Sequence, residues 1–515
     1  MKRTIAHGHL VKKQSTITTQ LHLAQPIQSS NLRPHKSKSS LELINSLAVF
    51  KACSIPALVN NSDKILDIFE KFKLTPISNF IIKRTFFKHF CGGENLNEVL
   101  PTMQKLNKSR VNSILDLSME ADLEAGAEKS LSSAVSEAEK IIEMFKSSID
   151  ISSTQPNAFI AVKVTALFPP LILLRWSNTL QVFKSKFMNK NTFTSTEFVN
   201  AIGGDKALSM KIFNTLKKNS DGSVDVTSIT ESIDVIYKES RGILPMQHNS
   251  PAASRSDFEL LRNEDLEVID AIVPKIESLC KYSLSKKIRL MIDAEQTYFQ
   301  HAVDSVALHC SRTINPKNEG GLAVVYNTYQ LYLKDGLKRL KIDVERAERF
   351  GYTFGVKIVR GAYMVSERER AEELKIEDPI NENIEKTHKD YNEAIEYLLK
   401  KVKFNPNISF VIASHNKTSV ETALRLIKEL DINLEEKKNH FGFGQLMGMQ
   451  DGIAFYLGEI GLSVFKYIPY GPVNITIPYL IRRAQENSSL MTNSGAVQDR
   501  KELLEELKIR FGISV

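Results

Sequence analysis

The sequence repeats one pattern seven times: a short run rich in Val, Ile and Phe, then a polar or charged residue, then a segment with helical spacing. The runs begin at Phe159, Arg289, Leu322, Val356, Phe410, Phe441 and Val464. Strands that alternate with helices form parallel sheets, and this many in one unit favour a (βα)8 barrel over two doubly wound sheets. No run leads into a GxGxxG turn, which argues against a Rossmann domain. We therefore expect an α/β fold, a distorted (βα)8 TIM-like barrel.

Composition and spacing divide the chain into further segments. Residues 41–157 are mainly helical and lead into the barrel, with a short strand near Asn112 to Leu117. We expect the barrel to occupy residues 158–490, with a polar helical insertion at about 171–255, and residues 491–515 to form a C-terminal helix. The loop 217–225 is similar to an EF-hand, but Lys217 and Ser228 stand at its first and last ligand positions, so we do not expect calcium binding.

The excess positive charge lies at the N-terminus. The net charge is +8, yet residues 1–40 contain seven Lys or Arg and no Asp or Glu. Without those seven, 61 basic residues face 60 acidic ones. A basic, hydroxyl-rich, acid-free leader is typical of a mitochondrial transit peptide, and we expect residues 1–40 to be a disordered leader that is removed upstream of about residue 45. A disordered basic tail is the alternative. The nearly neutral body gives no reason to expect nucleic-acid binding.

Neither the cysteines nor the apolar segments indicate a metal site or a membrane span. The four cysteines form no CxxC pair, which argues against zinc and against a disulfide framework. The longest apolar stretch, from Ala158 to Leu174, is interrupted by Lys163 and by two prolines, so it is a poor transmembrane segment. Any membrane contact should therefore be peripheral.

Polar residues recur at the ends of the predicted strands. In a barrel, the carboxyl ends of all strands meet at one mouth, where active sites lie. The residues at these ends are Lys163, Asp293, Asn327, His415 and Gln445. Singly, Asp293 and Asn327 could be helix caps and His415 a core histidine. Their recurrence at equivalent positions favours a common site.

The run Val356 to Gly361 predicts a lysine inside the barrel. Period-two alternation puts Lys357 on one face of the strand and Val356, Ile358 and Arg360 on the other. If the valine and isoleucine pack against the outer helices, Lys357 points inward, where its charge needs an electron-rich partner. Gly361 and Ala362 would then let a planar ligand or its phosphates approach the backbone.

Two adjacent arginines occupy a helix that we expect to begin at Pro478. Residues three and four apart share a helix face, so Tyr479 should lie beside Arg482 and Arg483, with Glu486 on the same stripe. Two guanidiniums beside an aromatic ring suit a small ligand that is anionic at one end and apolar elsewhere. The alternative is a solvated arginine pair braced by Glu486.

Seven ordered motifs resemble those of proline dehydrogenases, above all the eukaryotic mitochondrial form. They are Ile292 to Tyr298, Tyr326 to Gln330, Val359 to Tyr363, Ser414 to Asn416, Gly444 to Gly448, Tyr467 to Gly471 and Tyr479 to Asn487, and the similarity covers about 110–170 and 285–490. The resemblance implies FAD-dependent oxidation of L-proline to Δ1-pyrroline-5-carboxylate, the first step of proline catabolism to glutamate. It further implies a quinone acceptor and peripheral contact with the matrix side of the mitochondrial inner membrane.

The resemblance also implies a role for individual residues. Asp293 and Lys357 are the expected catalytic pair. The residues expected to bind substrate are Lys163, Arg482 and Arg483 at the proline carboxylate, and Leu446, Tyr467 and Tyr479 around its ring. Those expected to bind the cofactor are Ile292, Asn327, Lys357, Val359, Arg360, Gly361, Ala362, Ser414, His415 and Glu486.

Three alternatives stay open. Bacterial members often carry Arg at the position of Lys357 and Lys at that of Arg360, so which cation contacts the flavin is undecided. Oxidation of hydroxyproline is the alternative reaction, because both substrates share the ring and the carboxylate. A catalytically silent barrel that binds proline or FAD is the alternative from another class.

Overall fold

Eight parallel strands form the centre of the molecule. The computed structural model describes residues 33–119, 129–246, 258–317, 321–490 and 494–513. The strands close into a barrel in the order β1-β10-β9-β8-β7-β6-β5-β2, and the short β3 and β4 pair antiparallel outside it. The bounds are β1 Asn112–Leu117, β2 Phe159–Val162, β3 Thr192–Phe193, β4 Val224–Asp225, β5 Arg289–Ile292, β6 Val325–Gln330, β7 Phe354–Val359, β8 Ile408–Ala413, β9 Phe441–Leu446 and β10 Val464–Tyr470. The expected barrel is confirmed.

Helices precede, cover and follow the barrel. Those before it are α1 Ser40–Cys53, α2 Pro56–Asn60, α3 Ser62–Lys71, α4 Thr75–Ile82, a π-helical turn Lys83–Phe87, α5 Lys88–Phe90 and α6 Leu96–Lys108. From β1 to β5 they are α7 Leu131–Ser152, α8 Pro170–Ser185, α9 Ser195–Ile202, α10 Lys206–Thr215, α11 Val226–Ser232 and α12 Asn263–Ser285, with 3-10 turns at Val164–Ala166 and Lys238–Ile243. The remainder are α13 Thr297–Ile314, α14 Gly336–Phe350, α15 Met364–Leu374, α16 Ile384–Phe404, α17 Lys417–Glu429, α18 Leu434–Lys437, α19 Asp451–Glu459, α20 Val473–Leu490 and α21 Ser494–Arg510.

The barrel begins earlier than the expected boundary at residue 158. Its first strand is β1, which pairs with β2 on one side and with β10 on the other and so closes the sheet. This strand lies within the range 41–157 that we expected to be a helical lead-in. Its five buried residues Ser113 to Leu117 belong to the barrel wall, because alternate side chains face the interior and the helices.

Because strand side chains alternate between the barrel interior and the outer helices, they form two apolar layers. The barrel interior contains a small core that includes Ile114, Phe159, Tyr326, Val411 and Phe465. Larger cores fill the space between the strands and the surrounding helices. Apolar side chains therefore fill the barrel interior below the carboxyl ends of the strands. We call this interior core the apolar plug, and the polar strand ends lie above it.

Residues 33–40 belong to the folded body, contrary to the expected boundary at residue 40. Arg33 forms an ion pair with Glu506 on α21 at 2.9 Å, and Lys38 forms one with Asp451 at the start of α19 at 3.0 Å. His35 is 2% exposed. A segment with a buried side chain and two ion pairs to distant helices is not a disordered leader. The remainder of the expected leader, residues 1–32, lies outside the described residues.

The expected insertion forms helices that pack on the outside of the barrel. α8 packs against α13, and Asp234 accepts a hydrogen bond from Ser305 on α13. The buried carboxylate of Glu231 is paired with Arg346 and Arg349 of α14. The loop similar to an EF-hand contributes β4, and Asn219 in it donates to Ser223 and Asp225. These contacts hold the insertion to α13 and α14 through buried charge as well as apolar packing.

Within the described residues, no helix combines the length and the apolar character that crossing a bilayer would require.

Candidate active site

A charged cluster lies inside the barrel above its apolar plug. Asp293 follows β5 and forms an ion pair with Lys357 of β7. The hydroxyl of Tyr467 on β10 donates to Oδ2 of Asp293 at 2.6 Å, and Nζ of Lys357 lies 5.3 Å from the centre of the Tyr467 ring. Asp293 and Lys357 are both buried. Three strands therefore deliver an acid, a cation and a phenol to one place.

The inward direction of Lys357 is as the alternation predicts. Val356 and Ile358 pack in the core between strands and helices, so the residue between them faces the interior. Burial and the two neighbouring carboxylates Asp116 and Asp293 raise the pKa of Tyr467 well above its usual value. Tyr467 therefore stays protonated and acts as a hydrogen-bond donor.

A second ion pair lies beside the first. Nζ of Lys163, which follows β2, donates to Oδ1 of Asp116 on β1 at 2.8 Å, and both residues are buried. Two residues further on, the backbone N–H and the hydroxyl of Thr165 both donate to Glu295, which fixes the turn after β2 against the segment after β5. The lysine expected to bind a carboxylate is thus held in place by a carboxylate of the protein.

The helix with the two arginines begins at Val473, not at Pro478, which lies inside it. Arg483 is buried, and its guanidinium contacts Glu486 at 2.7 Å and lies 5.0 Å from the centre of the Tyr479 ring. Arg482 lies 5.4 Å from the centre of the Tyr363 ring instead. The arginines therefore have different aromatic neighbours, whereas the sequence placed Tyr479 beside both.

The N-terminal helices cover α20. Val49 and Cys53 of α1 and Phe87 of the π-helical turn share a small core with Tyr479 and Leu480 of α20, and Leu446 packs against that core. Leu446 also lies opposite Tyr467 in the pairing of β9 with β10. The side chains expected to enclose the substrate ring are therefore brought together by β9, β10 and α20.

Arg360 points away from the Lys357 cluster. Its guanidinium donates to the hydroxyls of Ser414 at 2.8 Å and of Ser419 at 2.9 Å, and it lies 4.3 Å from the centre of the Tyr391 ring. Ser419 lies in the first turn of α17, whose N-cap is Asn416. A guanidinium and a hydroxyl beside a helix start suit phosphate oxygens.

His415 is a neutral hydrogen-bond acceptor. Its Nε2 accepts from the backbone N–H of Leu446 at 2.9 Å, so the proton of the ring lies on Nδ1. Burial, together with the cations Lys466, Arg483 and Arg360, lowers its pKa to about 3. Gln445 donates to the carbonyl of Ser414, and these contacts join the ends of β8 and β9.

Asn327 is not brought to this site. It is fully buried on the outer face of β6, where its amide donates to Asp304 of α13 at 3.0 Å. Ile292 likewise packs in the core outside the barrel. The inner face of β6 carries Thr328 and Gln330 instead, since these alternate with Asn327 and share a face with Tyr326 of the interior core.

The space at Gly361 is occupied by a side chain. A Cβ atom at this position would lie 2.4 Å from the ring of Tyr332, so the glycine accommodates that ring. Ala362 is exposed, and Val359 and Glu486 are half-buried. Among the contacts described, none of these residues bonds to Asp293, Lys357 or Tyr467.

Three residues of the site were not predicted from the sequence. Asp116 lies on β1, in a segment assigned to the helical lead-in. Thr328 donates to the carbonyl of Ile292 at 2.8 Å, and Gln330 donates to the carbonyl of Glu295 at 2.8 Å. Alternation along β6 would have identified Thr328 and Gln330, because Tyr326 is the aromatic residue of the interior face. No signal in the sequence pairs Asp116 with Lys163.

Comparisons with known proteins agree over most of the chain. The family model described as "Proline dehydrogenase" matches residues 99–496. "Proline dehydrogenase 1, mitochondrial" of Caenorhabditis elegans is 33% identical over 544 residues, covering 92% of this chain and 87% of that protein. The human protein of the same name is 32% identical, covering 93% and 88%. A "Hydroxyproline dehydrogenase" of Xenopus laevis is 28% identical, covering 92% and 88%.

A solved structure supports the fold. The crystal structure of proline utilization A (PutA) from Bdellovibrio bacteriovorus, inactivated by N-propargylglycine, aligns with a TM-score of 0.54 and 17% identity. The alignment covers 90% of this chain and 39% of the PutA chain, so this chain spans about two-fifths of that protein. The family match over residues 99–496 and the relatives above 30% identity show that the chain belongs to the proline dehydrogenase family, whose activity is the oxidation of proline.

Proposed function

We propose that this chain is a mitochondrial flavoenzyme that binds FAD, oxidises L-proline to Δ1-pyrroline-5-carboxylate and passes the electrons to a quinone. The observation that carries the proposal is the buried cluster of Asp293, Lys357 and Tyr467 inside the barrel. The leader-like composition of residues 1–32 and the names of the relatives support a mitochondrial location. We place the enzyme on the matrix side of the inner membrane, in peripheral contact with it.

Two features of the described residues fit FAD. Lys357 supplies a buried cation inside the barrel, where the electron-rich ring system of a reduced flavin needs compensating charge. Arg360 and Ser414 lie beside the start of α17 and supply a guanidinium and a hydroxyl that suit the phosphates. Bound FAD would supply the redox chemistry, by accepting a hydride from the proline ring. We assign Lys357 to the ring system and Arg360 to the phosphates, because the two cations point in different directions.

The substrate carboxylate is assigned to Lys163, Arg482 and Arg483. Charge-assisted hydrogen bonds from guanidinium and ammonium groups are about twice as strong as neutral ones, and α20 holds Arg483 rigidly against Tyr479. Leu446, Tyr467 and Tyr479 supply apolar surface for the pyrrolidine ring and exclude water from it. Asp116 and Glu486 balance the cations when no substrate is present.

Asp293 is assigned to proton transfer. Oxidation of the C–N bond to C=N releases the proton of the ring nitrogen, and Asp293 is a carboxylate inside the barrel that contacts both Lys357 and Tyr467. Lys357 and Tyr467 each donate to one of its oxygens, so its orientation is fixed. A fixed carboxylate needs little reorganisation when it accepts a proton.

We propose proline rather than hydroxyproline as the substrate. Two relatives named proline dehydrogenase are 33% and 32% identical, and a relative named hydroxyproline dehydrogenase is 28% identical. To test this, the flavin of the purified enzyme is released by denaturation and identified, and turnover on each substrate is measured with a water-soluble quinone. We expect FAD and a higher kcat/KM for proline. FMN, or a higher kcat/KM for hydroxyproline, would contradict the proposal.

A further inference from the structure

The segment from α2 to α4 exposes apolar side chains that a helix normally buries. Six large apolar residues between positions 68 and 81 are between 41% and 67% exposed: Ile68, Phe72, Leu74, Ile77, Phe80 and Ile81. On α4, the residues Ile77, Phe80 and Ile81 follow the i, i+3, i+4 spacing of a core-facing stripe, yet all three face solvent. The buried residue of α4 is Ser78. This helix therefore exposes apolar residues and buries a polar one, the reverse of a helix that packs on a globular core.

Cations are interleaved with this apolar face. Between residues 64 and 84 the sequence contains Lys64, Lys71, Lys73, Lys83 and Arg84 against two carboxylates. Lys71 and Lys73 flank Phe72 at the turn between α3 and α4, and both are exposed. The guanidinium of Arg84 lies 4.6 Å from the centre of the Phe80 ring. Apolar side chains bordered by Lys and Arg are the pattern of segments that lie in the interface of an anionic bilayer.

The face lies beside the barrel mouth. α2, α4 and the π-helical turn all pack against α20, the helix of Arg482 and Arg483, which follows the carboxyl end of β10. A partner surface that binds these helices would therefore lie next to the barrel mouth.

We propose that the face formed by α2 to α4 is the membrane-docking surface of this enzyme, and that its partner is a bilayer containing anionic phospholipid. The proposal rests on the proposed function in one respect, since a lipid-soluble quinone can reach the barrel mouth from a bilayer held at this face. The interleaved cations favour a lipid headgroup layer over an apolar protein interface. A second copy of this chain is the other occupant that the test must distinguish.

The test compares variants of the full-length holoenzyme. Phe72→Ser/Leu74→Ser removes the apolar turn, and Phe404→Ser is the matched control, because Phe404 is 80% exposed at the end of α16, just before β8 and thus at the opposite end of the barrel. Binding is measured by co-sedimentation with vesicles of phosphatidylcholine mixed with phosphatidylglycerol, and with vesicles of phosphatidylcholine alone. Light scattering reports the oligomeric state, and proline turnover with a water-soluble quinone reports the state of the active site.

We expect the double variant to bind the anionic vesicles at least about tenfold more weakly than the wild type, and the control to bind normally. Binding should weaken in high salt and with the neutral vesicles. Both variants should keep normal turnover with the water-soluble quinone, while the double variant loses turnover with a long-chain quinone embedded in vesicles.

Equal vesicle binding by the double variant and the wild type would overturn the proposal, as would a wild type that does not bind vesicles. A dimer that the double substitution dissociates would assign the face to self-association instead. If no form oxidises proline but vesicle binding still depends on Phe72 and Leu74, the proposed function fails and the docking surface stands.

Discussion

Three cations near the barrel mouth each have a carboxylate partner: Lys163 with Asp116, Lys357 with Asp293, and Arg483 with Glu486. Removing one partner of a buried ion pair leaves the other charge uncompensated, which destabilises a protein by about 3–5 kcal/mol. A single substitution at the barrel mouth therefore disturbs the charge balance of a buried ion pair, and the effect of that disturbance can be measured.

The two arginines of α20 can be tested by substitution. Arg482→Met and Arg483→Met should each lower kcat/KM for proline by roughly one and a half to three decades, because each removes a charge-assisted bond to the substrate carboxylate. The FAD content should stay near normal. Steady-state kinetics and the flavin spectrum check both expectations.

Arg425→Met is the matched control, because this arginine is exposed on the outer helix α17 and pairs only with Glu429 in the contacts described. Pyrrolidine, which lacks the carboxylate, should be a poor substrate for the wild type and should lose little further activity in either variant. If both variants keep near-normal kcat/KM for proline, the arginines do not bind its carboxylate.

Lys357→Met should make the flavin harder to reduce and slow its reduction by more than roughly tenfold. It also leaves Asp293 buried without its cation, so the variant should be less stable than the wild type. The variant Asp293→Asn and the double variant complete a cycle that measures the coupling between the two residues. An unchanged flavin potential would show that Lys357 does not stabilise the reduced flavin.

At the scale of elements, alternation explains which side chains were predictable. The run around Lys357 has apolar neighbours on both sides, so period two determines the inward residue from the sequence alone. Asn327 has Tyr326 and Thr328 beside it, and its partner Asp304 lies on a helix 23 residues earlier in the chain. A polar residue at a strand end can face either the mouth or the helix layer, and only the tertiary contact decides.

The same reasoning explains why β1 was predicted as a short strand but not as part of the barrel. Its six residues follow a long helical region and contain Asp116, so the run is not purely apolar. It becomes a barrel strand because it closes the gap between β2 and β10 in the sheet. The closure of a barrel is a property of all strands together, and no local pattern contains it.

The segment 33–40 is predicted to be part of the mature enzyme. A chain that begins at residue 41 loses the ion pairs of Arg33 with Glu506 and of Lys38 with Asp451, and it should melt about 3 °C or more below one that begins at residue 33. Differential scanning fluorimetry of the two chains measures this. The exposed Lys36 provides the control, since Lys36→Met should not change the melting temperature.

Cleavage of the leader in the mitochondrion should leave residues 33–40 in place. We expect import into the mitochondrion followed by cleavage upstream of residue 33, because cleavage further downstream removes buried contacts. N-terminal sequencing of the mature protein checks this expectation. A mature N-terminus beyond residue 40 with unchanged stability would show that the segment is dispensable, and intact Met1 would show that no leader is removed.

At the scale of the whole molecule, buried histidines should determine the response to acid. Burial lowers the pKa of His35 and of His89 to about 3, below the usual 6.5. The unfolded chain binds protons below pH 6.5 that the folded chain does not bind, so stability is full above pH 6.5 and is lost as pH falls toward 3. Each such histidine contributes up to about 1.4 kcal/mol per pH unit in that window.

Urea denaturation of the wild type and of His89→Gln at pH 7 and pH 5 tests this. The variant should be less stable at pH 7, because His89 packs against Phe50 and Phe90. It should nevertheless lose less stability than the wild type between the two pH values. Equal losses in the two proteins would mean that His89 titrates normally in the folded state.

We propose that this barrel oxidises proline by way of a flavin bound beside Asp293 and Lys357. The most direct measurement is an anaerobic titration of the purified holoenzyme with L-proline, followed by the visible absorbance of the bound flavin. We predict that proline bleaches the flavin band in the wild type and that a quinone restores it. A spectrum that shows bound flavin but does not respond to saturating proline would contradict the claim.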